Sequence, residues 1–430
     1  MTMGVLREGA VVRGGFALVR GLRFAMGKRS RRSVGRHLLL WGYAASVAAF
    51  YAVAYQRTLR TGPAGSPEGD VAHSEEPGER ARDESETHWP RVSMIVPARN
   101  EERNIRACVT SLLEQDYPNY QVIVVDDAST DATPRILDEI RQTHPHGTRL
   151  RVVRVERLPE GWAGKPHALH TGAAVADGEW LLFTDADTQH DPNALRTAVR
   201  LAQERALDLL SFGTTQDLPD FWGRVLIPMA YMGISLQYPV KAVNDPNSPV
   251  AIANGQFILL RTAMYRRIGG YASPRLRATV LDDRDLAQEV KRAHGRLELL
   301  DGRALVHTRM YHGLREQWDG WSKNAYAGSR GGVLFFLLMI AGLPAVCIAP
   351  FVLLLAGLLG RKAPVALAGA VGVGAILAYR TPLDQQLGVP WRYALTHPLA
   401  AAIFTGILAR SLWRKVSGRG VEWRGRTYQV

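Results

Sequence analysis

The stretch Glu179 to Thr188, EWLLFTDADT, constrains the fold more than any other in this 430-residue chain. Trp180 to Phe183 is a continuous apolar run, the pattern of a strand buried on both faces of a parallel sheet. It runs into Asp185-Ala186-Asp187, two carboxylates separated by one small residue. Open α/β sheets bind ligands beyond the carboxyl ends of their strands. Two carboxylates held so close repel each other unless a cation lies beside them. A divalent ion carrying a phosphate meets that need, because Mg²⁺ and Mn²⁺ are held by one or two carboxylates plus phosphate oxygens. The competing reading is an acidic turn before the helix that opens near Pro192, although Asp191-Pro192 would cap that helix alone. The motif by itself supports both.

Around it, strand and helix patterns alternate. VSMIVP (92–97), QVIVVDD (121–127) and LRVVRV (150–155) read as strands, with helices over 100–114, from Asp131 to about 142, up to about 176, and over 192–205. Four such alternations with short connections predict an α/β fold with a doubly wound, mostly parallel sheet. LDLLSFG (207–213), IANGQFILLRT (252–262) and Leu297 to Leu300 read as further strands, with helices over 281–293 and 314–326. Phe221 to Val240 is apolar but contains Pro228 and Pro239, which points to a helix lying in a membrane interface.

The flanks differ in kind. Residues 38–55 are uncharged and long enough to span a bilayer; Ala52-Val53-Ala54 resembles a cleavage site, but the basic segment before the apolar run is long for a signal sequence. Residues 333–412 contain apolar runs over 333–359, 363–379 and 394–412, about three spans or re-entrant helices. The expected organisation is a basic segment (1–37), a transmembrane helix (38–55), a flexible linker (56–90), a folded domain (91–330), a membrane region (333–412) and a basic tail (413–430). Net charge is +13, of which 1–37 supplies +8 (nine Arg/Lys less Glu8) and 410–430 supplies +5 (six less Glu422), so the remainder is neutral. That placement suits anionic lipid rather than a nucleic-acid partner, which would need a basic stripe on a folded domain. Two cysteines, Cys108 and Cys347, give neither a disulfide framework nor a zinc site.

VSMIVPARNEERNI, VIVVDDASTD, GKPHAL, LLFTDAD, ANGQF, IGGY, LDDRDLA and QWDGW occur in that order. The set resembles family 2 glycosyltransferases of the GT-A fold over residues 90–330. It is most similar to the membrane-anchored subgroup that glycosylates hopanoids or carotenoids, with ceramide glucosyltransferases more distant. GRGVEWRGRTY (418–428) is similar to that subgroup's tail. The resemblance implies a Rossmann-like mixed sheet with helices on both faces, plus transmembrane helices. It implies donor contacts at Pro97, Glu101, Asp127, Lys165 and Asp185, a divalent metal (Mn²⁺ or Mg²⁺) at Asp187, and Asp283 as the general base of an inverting reaction. Gly255, Gln256, Asp282, Gln317 and Trp321 would lie near the acceptor and diphosphate. Two positions depart from the family pattern: Asp282-Asp283 stands where Glu-Asp is usual, and the arginine of the late Q-x-x-R-W signature is Gly320, with Lys323 as a substitute cation.

Competing assignments apply at several of these positions. Asp131 with Ser129 and Thr130 reads as a helix cap. Asp282 could cap the helix after Leu281, Lys165 could be a solvated lysine, and His307 and His312, which could approach the metal, read also as surface or packing histidines. Trp318 and Trp321 could be core or an aromatic belt. The expected activity is transfer of a sugar from a UDP- or GDP-sugar to a lipid hydroxyl at a bacterial-type inner membrane, on the cytoplasmic face. A processive polysaccharide synthase and a non-catalytic membrane scaffold are the alternatives. The basic segment and residues 90–330 both favour the cytoplasm, yet one span separates them. A dinucleotide cofactor site is not indicated, since the first strand leads into PARNEE and not G-x-G-x-x-G.

Overall fold

A computed structural model describes residues 28–60, 89–329, 331–418, 421–423 and 426–428. The expectations for residues 1–27, for the linker over 61–88 and for 419–420, 424–425 and 429–430 of the basic tail lie outside the described residues.

The strands in chain order are β1 (Val92–Ala98), β2 (Tyr120–Asp127), β3 (Leu150–Val155), β4 (Trp180–Phe183), β5 (Thr188–His190), β6 (Leu209–Gly213), β7 (Thr215–Gln216), β8 (Ile258–Arg261), β9 (Leu297–Asp301) and β10 (Val306–Thr308), followed by an antiparallel pair, β11 (Val421–Trp423) and β12 (Arg426–Tyr428). Seven form one sheet in the order β3-β2-β1-β4-β8-β6-β9, while β5, β10 and β7 form a small second sheet. The large sheet is mixed. β8 runs antiparallel to both β4 and β6, and the other neighbours are parallel. That reversal matters for the site. Because Phe183 pairs with Ile258, the start of β8 lies at the same sheet edge as the end of β4.

Alternation along the strands fills two cores. Met94, Val96, Val122, Val124 and Leu182 face one side, covered by α2 (Ile105–Leu113), α3 (Thr133–Thr143) and α5 (Ala194–Glu204). Ile95, Ile123, Val125, Leu181 and Phe183 face the other, covered by α4 (Gly164–Ala174) and α7 (Asp282–Arg292). Each such aliphatic side chain contributes about 1.5–3 kcal/mol on burial. The central strands, buried on both faces, therefore read as unbroken apolar runs.

The remaining long helices are α1 (Lys28–Tyr55), α6 (Phe221–Gln237), α8 (Gly313–Gly328), α9 (Gly332–Cys347), α10 (Ala349–Leu359), α11 (Ala363–Gln386) and α12 (His397–Val416), with short ones over Val240–Asn244 and Thr262–Arg267. Four stretches are long and apolar enough to cross a membrane: Gly35–Leu59, Gly332–Leu359, Ala363–Gln386 and Trp391–Val416. The second is interrupted at Ile348, two residues before Pro350, whose missing N–H breaks the helical ladder. α10 and α11 approach closely through glycines. A Cβ on Gly357 would stand 2.2 Å from the Ala366 nitrogen, and one on Gly369 would stand 2.3 Å from the Leu354 nitrogen. α6, capped by Asp220 accepting from the Gly223 amide, packs Val225, Leu226 and Met229 among residues of α1, α11 and α12.

Candidate active site

The carboxyl ends of β1, β2 and β4 and the start of β8 share one edge. A cavity of about 920 Å³ opens there. Pro97, Glu101, Asp127, Lys165, Asp185, Asp187, Gly255, Gln256, Asp282 and Asp283 all line it, so ten positions singled out in the sequence converge. Gln317 and Trp321 lie elsewhere: Gln317 is fully buried, and Trp321 packs on Tyr311 and Phe404. From α8 the cavity wall takes Glu316, Asp319, Lys323 and Asn324 instead.

The loops after β1 and β2 are laced together. Asn100 and Ala128 both adopt φ of 53°, the left-handed region. The amides of Asn100, Glu101 and Glu102 donate to Ser129 Oγ, Thr133 Oγ1 and Asp131 Oδ2, and Thr130 and Ala132 donate back to Asn100 and Glu102. α2 therefore begins at Ile105 rather than at Asn100, because side chains of the neighbouring loop have already satisfied these amides. Asp131 serves as a turn and cap acceptor, bonding the Thr133 and Glu102 amides. Asp127 is buried, and its carbonyl accepts from Arg99 at 2.7 Å.

Asp185 and Asp187 rest on a buried polar network. Thr188 Oγ1 donates to the Asp185 carbonyl at 2.7 Å and Thr308 Oγ1 to the Asp187 carbonyl at 3.2 Å. His190 Nε2 sits 3.0 Å from Thr184 Oγ1 and 3.1 Å from Thr188 Oγ1. Burial pushes its imidazole down to about 3, which keeps it neutral. β10 pairs Thr308 with Thr188, so Met310, Tyr311 and His312 follow into the cavity wall beside Asp187. Burial, followed by the charges of Asp187 and Asp185, raises the Tyr311 phenol above its ordinary value.

The IANGQFILLRT stretch is a strand only over Ile258–Arg261. Asn254-Gly255-Gln256 before it is irregular because its groups serve the site. Asn254 Nδ2 donates to the Phe212 carbonyl, the Gln256 carbonyl accepts from Thr184, and the Gly255 amide lies 3.3 Å from Asp283 Oδ2. A Cβ on Gly255 would meet Lys165 Nζ at 3.1 Å and Asp185 Oδ2 at 3.5 Å. Glycine there is a close-approach residue.

The charge centre is Lys165 with the acids around it. Its Nζ lies 2.7 Å from Asp185 Oδ1 and 3.2 Å from Asp282 Oδ2, so it is ion-paired while its side chain stays 34% exposed. Burial opposes its charge, but Asp185, Asp282 and Asp283 outweigh that and raise its pKa. Burial also raises Asp282, against the pull of Lys165. Asp283 is pushed up to about 6, by burial first and by Asp282 next, with Lys165 and the Arg284 amide opposing. Asp283 Oδ1 takes the Arg284 amide at 2.7 Å, fixing the carboxylate at the N-terminus of α7.

Among the described residues no three His, Cys, Asp or Glu side chains meet as a protein-only metal cage. A cation here would complete its shell from phosphate oxygens and water, as Mg²⁺ commonly does. The donor set fits. Asp187 and Asp185 share one wall, and the buried His312 Nε2 on the same wall has no hydrogen-bond partner.

Residues 93–269 match the sequence model of the family described as Glycosyl transferase family 2. The chain carries a family 2 glycosyltransferase domain. The match contains Pro97 to Gln256 of the cavity and ends before Asp282 and Asp283. The beta-monoglucosyldiacylglycerol synthase of Synechocystis is 32% identical over 208 residues, 47% of this chain and 41% of the synthase. The chain thus spans less than half that relative's length. The 4,4'-diaponeurosporenoate glycosyltransferase of Staphylococcus aureus is 26% identical over 359 residues, 79% of this chain and 88% of that enzyme. Among solved structures, a mannosyltransferase from Pyrobaculum calidifontis in complex with GDP-Man and Mn²⁺ superposes with a TM-score of 0.51 at 22% identity, over 88% of this chain and 99% of its own. That likeness establishes the GT-A fold of the glycosyltransferase domain.

Sequence reasoning missed part of the cavity. Arg410 and Arg414 of α12 line it, although the matched domain ends at residue 269. Tyr311 was missed too. Its ring fills the space beside Gly320, where a Cβ would lie 2.5 Å from it. No local pattern marks either feature, since both depend on how α8 and α12 pack.

Proposed function

We propose that the chain is a membrane-bound glycosyltransferase that moves a sugar from a nucleotide-sugar to a lipid hydroxyl. The observation that carries this reading is the meeting of Asp127, Asp185, Asp187, Asp283 and Lys165 in one cavity at the carboxyl edge of the sheet. Residues 91–330 form the catalytic unit, with 38–55 and 333–412 in the membrane.

Asp127 and Glu101 accept from the base and ribose, and Asp185 lies nearer the ribose. Asp187, beside Asp185 and His312, would hold a Mg²⁺ or Mn²⁺ ion, which when bound neutralises charge on the departing diphosphate. Asp283 takes the proton of the acceptor hydroxyl as its oxygen bonds to the anomeric carbon. The bond from that carbon to the phosphate oxygen breaks, and its electron pair leaves on the nucleoside diphosphate. Attack and departure on opposite faces need one base and invert the configuration. Lys165 holds Asp185 and Asp282 in place, and Gly255 keeps the floor open to the reacting sugar.

A lipid acceptor is supported by the names of the two relatives and by the four long apolar helices. It is also supported by the apolar Val280, Leu281 and Met310 in the cavity wall. The donor is expected to be a UDP- or GDP-sugar, reached from the cytoplasmic face of a bacterial-type inner membrane.

Incubating the purified chain with UDP- and GDP-sugars, Mn²⁺ or Mg²⁺ and lipid extract, with mass spectrometry of the products, tests the reading. A hexose mass added to a lipid is the expected result. Absence of both transfer and donor hydrolysis across the panel would sink it. Cysteine accessibility mapped around the four apolar helices tests the sidedness.

A further inference from the structure

The sheet side of the cavity is acidic, with Glu101, Asp127, Asp185, Asp187, Asp282 and Asp283 on it. A nucleoside diphosphate entering that wall needs positive charge opposite. Lys165 is already engaged by Asp185 and Asp282. α8 has no room for a longer side chain at Gly320, where the Tyr311 ring stands 2.5 Å from a would-be Cβ. Arg99 and Arg103 line the cavity from the segment after β1, where Arg99 Nη1 donates to the Asp127 carbonyl and Arg103 pairs with Glu316; on the side of α8 and α12 the cations are Lys323 and, from the last apolar helix, Arg410 and Arg414.

Arg410 and Arg414 are four residues apart, hence one turn apart on one face of α12. Arg410 Nη1 bonds Asp319 Oδ1 of α8 at 2.6 Å. A guanidinium has five N–H donors in a planar fork, so this bond aims the group without exhausting it. The helix that carries both arginines is held firmly. Ser411 Oγ accepts the Tyr326 amide at 3.0 Å, Trp321 packs on Phe404, and Gly406 admits the Trp318 ring, which a Cβ would meet at 2.6 Å.

We propose that Arg410 and Arg414 clamp the second phosphate of the nucleoside diphosphate, so that the last membrane-type helix forms one wall of the active site. The inference rests on the glycosyltransferase reading above and adds to it a diphosphate-binding role outside the matched domain. Arginine suits the task because its paired N–H groups match phosphate oxygens two at a time. The same chemistry would also suit a lipid phosphate, and the test separates the two.

The full chain in phosphatidylcholine nanodiscs, with Mn²⁺, is titrated calorimetrically with UDP, GDP, UMP and GMP. The wild type is expected to prefer a diphosphate over its monophosphate. In the double variant Arg410→Gln/Arg414→Gln, diphosphate affinity falls about tenfold or more, as expected for lost charge-assisted hydrogen bonds. Its monophosphate affinity stays within about twofold, which also shows that the cavity is still folded. Lys415→Gln, on the same helix but exposed against the Tyr326 ring, changes neither. A double variant that keeps the diphosphate preference overturns the proposal, as does equal loss of both nucleotide classes. Repeating the titration with phosphatidylglycerol added tests the lipid alternative. If wild-type affinity for the diphosphate drops as that lipid rises, the arginines belong to the lipid and the proposal fails. A wild type that binds none of the four nucleotides sinks the glycosyltransferase reading itself, whereas a preference insensitive to Arg410 and Arg414 sinks only the clamp.

Discussion

Asp283 combines a fixed position with an unusual proton affinity. Its two oxygens take the Arg284 and Gly255 amides, while burial and Asp282 lift its pKa to about 6. A general base acts as the carboxylate, so kcat/KM is expected to climb as pH rises through about 6 and then level off. Asp283→Asn should lower kcat by about 10²–10⁴ and remove that limb, with donor affinity retained. Loss of donor binding in this variant would mean the residue holds the donor. The sign for stability is opposite. The folded state binds this proton more tightly than the unfolded chain does, so the contribution of Asp283 is complete below about 4 and is lost as pH rises towards 6. Lys165 pulls the Asp283 pKa down, so Lys165→Met should move the activity limb to higher pH. A limb that stays in place in that variant would assign it to another group. At this scale the sequence was informative: acids at strand ends and at a helix start are local features, and ten of the twelve singled-out positions do line one cavity. Gln317 is different. Its helical phase is set by packing on α12, which no neighbour in sequence encodes.

At the scale of elements, α4 shows how a helix is tuned to the sheet beneath it. A Cβ on Gly172 would stand 2.5 Å from Ile95 Cγ2 and 3.2 Å from Val125 Cγ2, both on fully buried central strands. Glycine to alanine inside a helix normally gains about 1 kcal/mol. Here overpacking costs about 1–3 kcal/mol, so Gly172→Ala should lower the thermal midpoint. Because Lys165 sits in the first turn of α4, the variant should also weaken donor binding. A raised midpoint would show that Ile95 has room to turn. The strands of this layer were legible because burial on both faces leaves continuous apolar runs. Boundaries at the site were not, for a reason that Asn100 and Asn254 share: their polar groups bond to segments distant in sequence, the loop after β2 and strand β6, and those bonds outrank local propensity. The reversal of β8 was hidden as well, since strand direction depends on which edge the connecting chain reaches.

At the scale of the molecule, α11 is tied to α6 through an arginine held in a buried ion pair that composition does not reveal. Arg380 and Asp384 on α11 are both fully buried, with Nε 2.6 Å from Oδ1. Arg380 Nη2 also donates to the Arg224 carbonyl of α6 at 3.1 Å, linking the bundle to the helix that follows β7. The pair is incompletely satisfied: Arg380 Nη1 and Asp384 Oδ2 have no hydrogen-bond partner. Removing one member leaves a buried charge alone, which costs about 3–5 kcal/mol, whereas replacing both with apolar residues of similar volume is commonly neutral or stabilising by about 1–4 kcal/mol. Arg380→Met and Asp384→Leu should therefore each lower the thermal midpoint of the detergent-solubilised chain sharply, and the double variant should recover most of the loss. The double variant still lacks the bond to Arg224, so α6 should become easier to cleave by limited proteolysis even where the midpoint is restored. Additive losses in the two single variants would show that the residues do not act as a pair. A restored midpoint with unchanged cleavage would show that α6 is held by Val225, Leu226 and Met229 in the apolar cluster and not by the arginine.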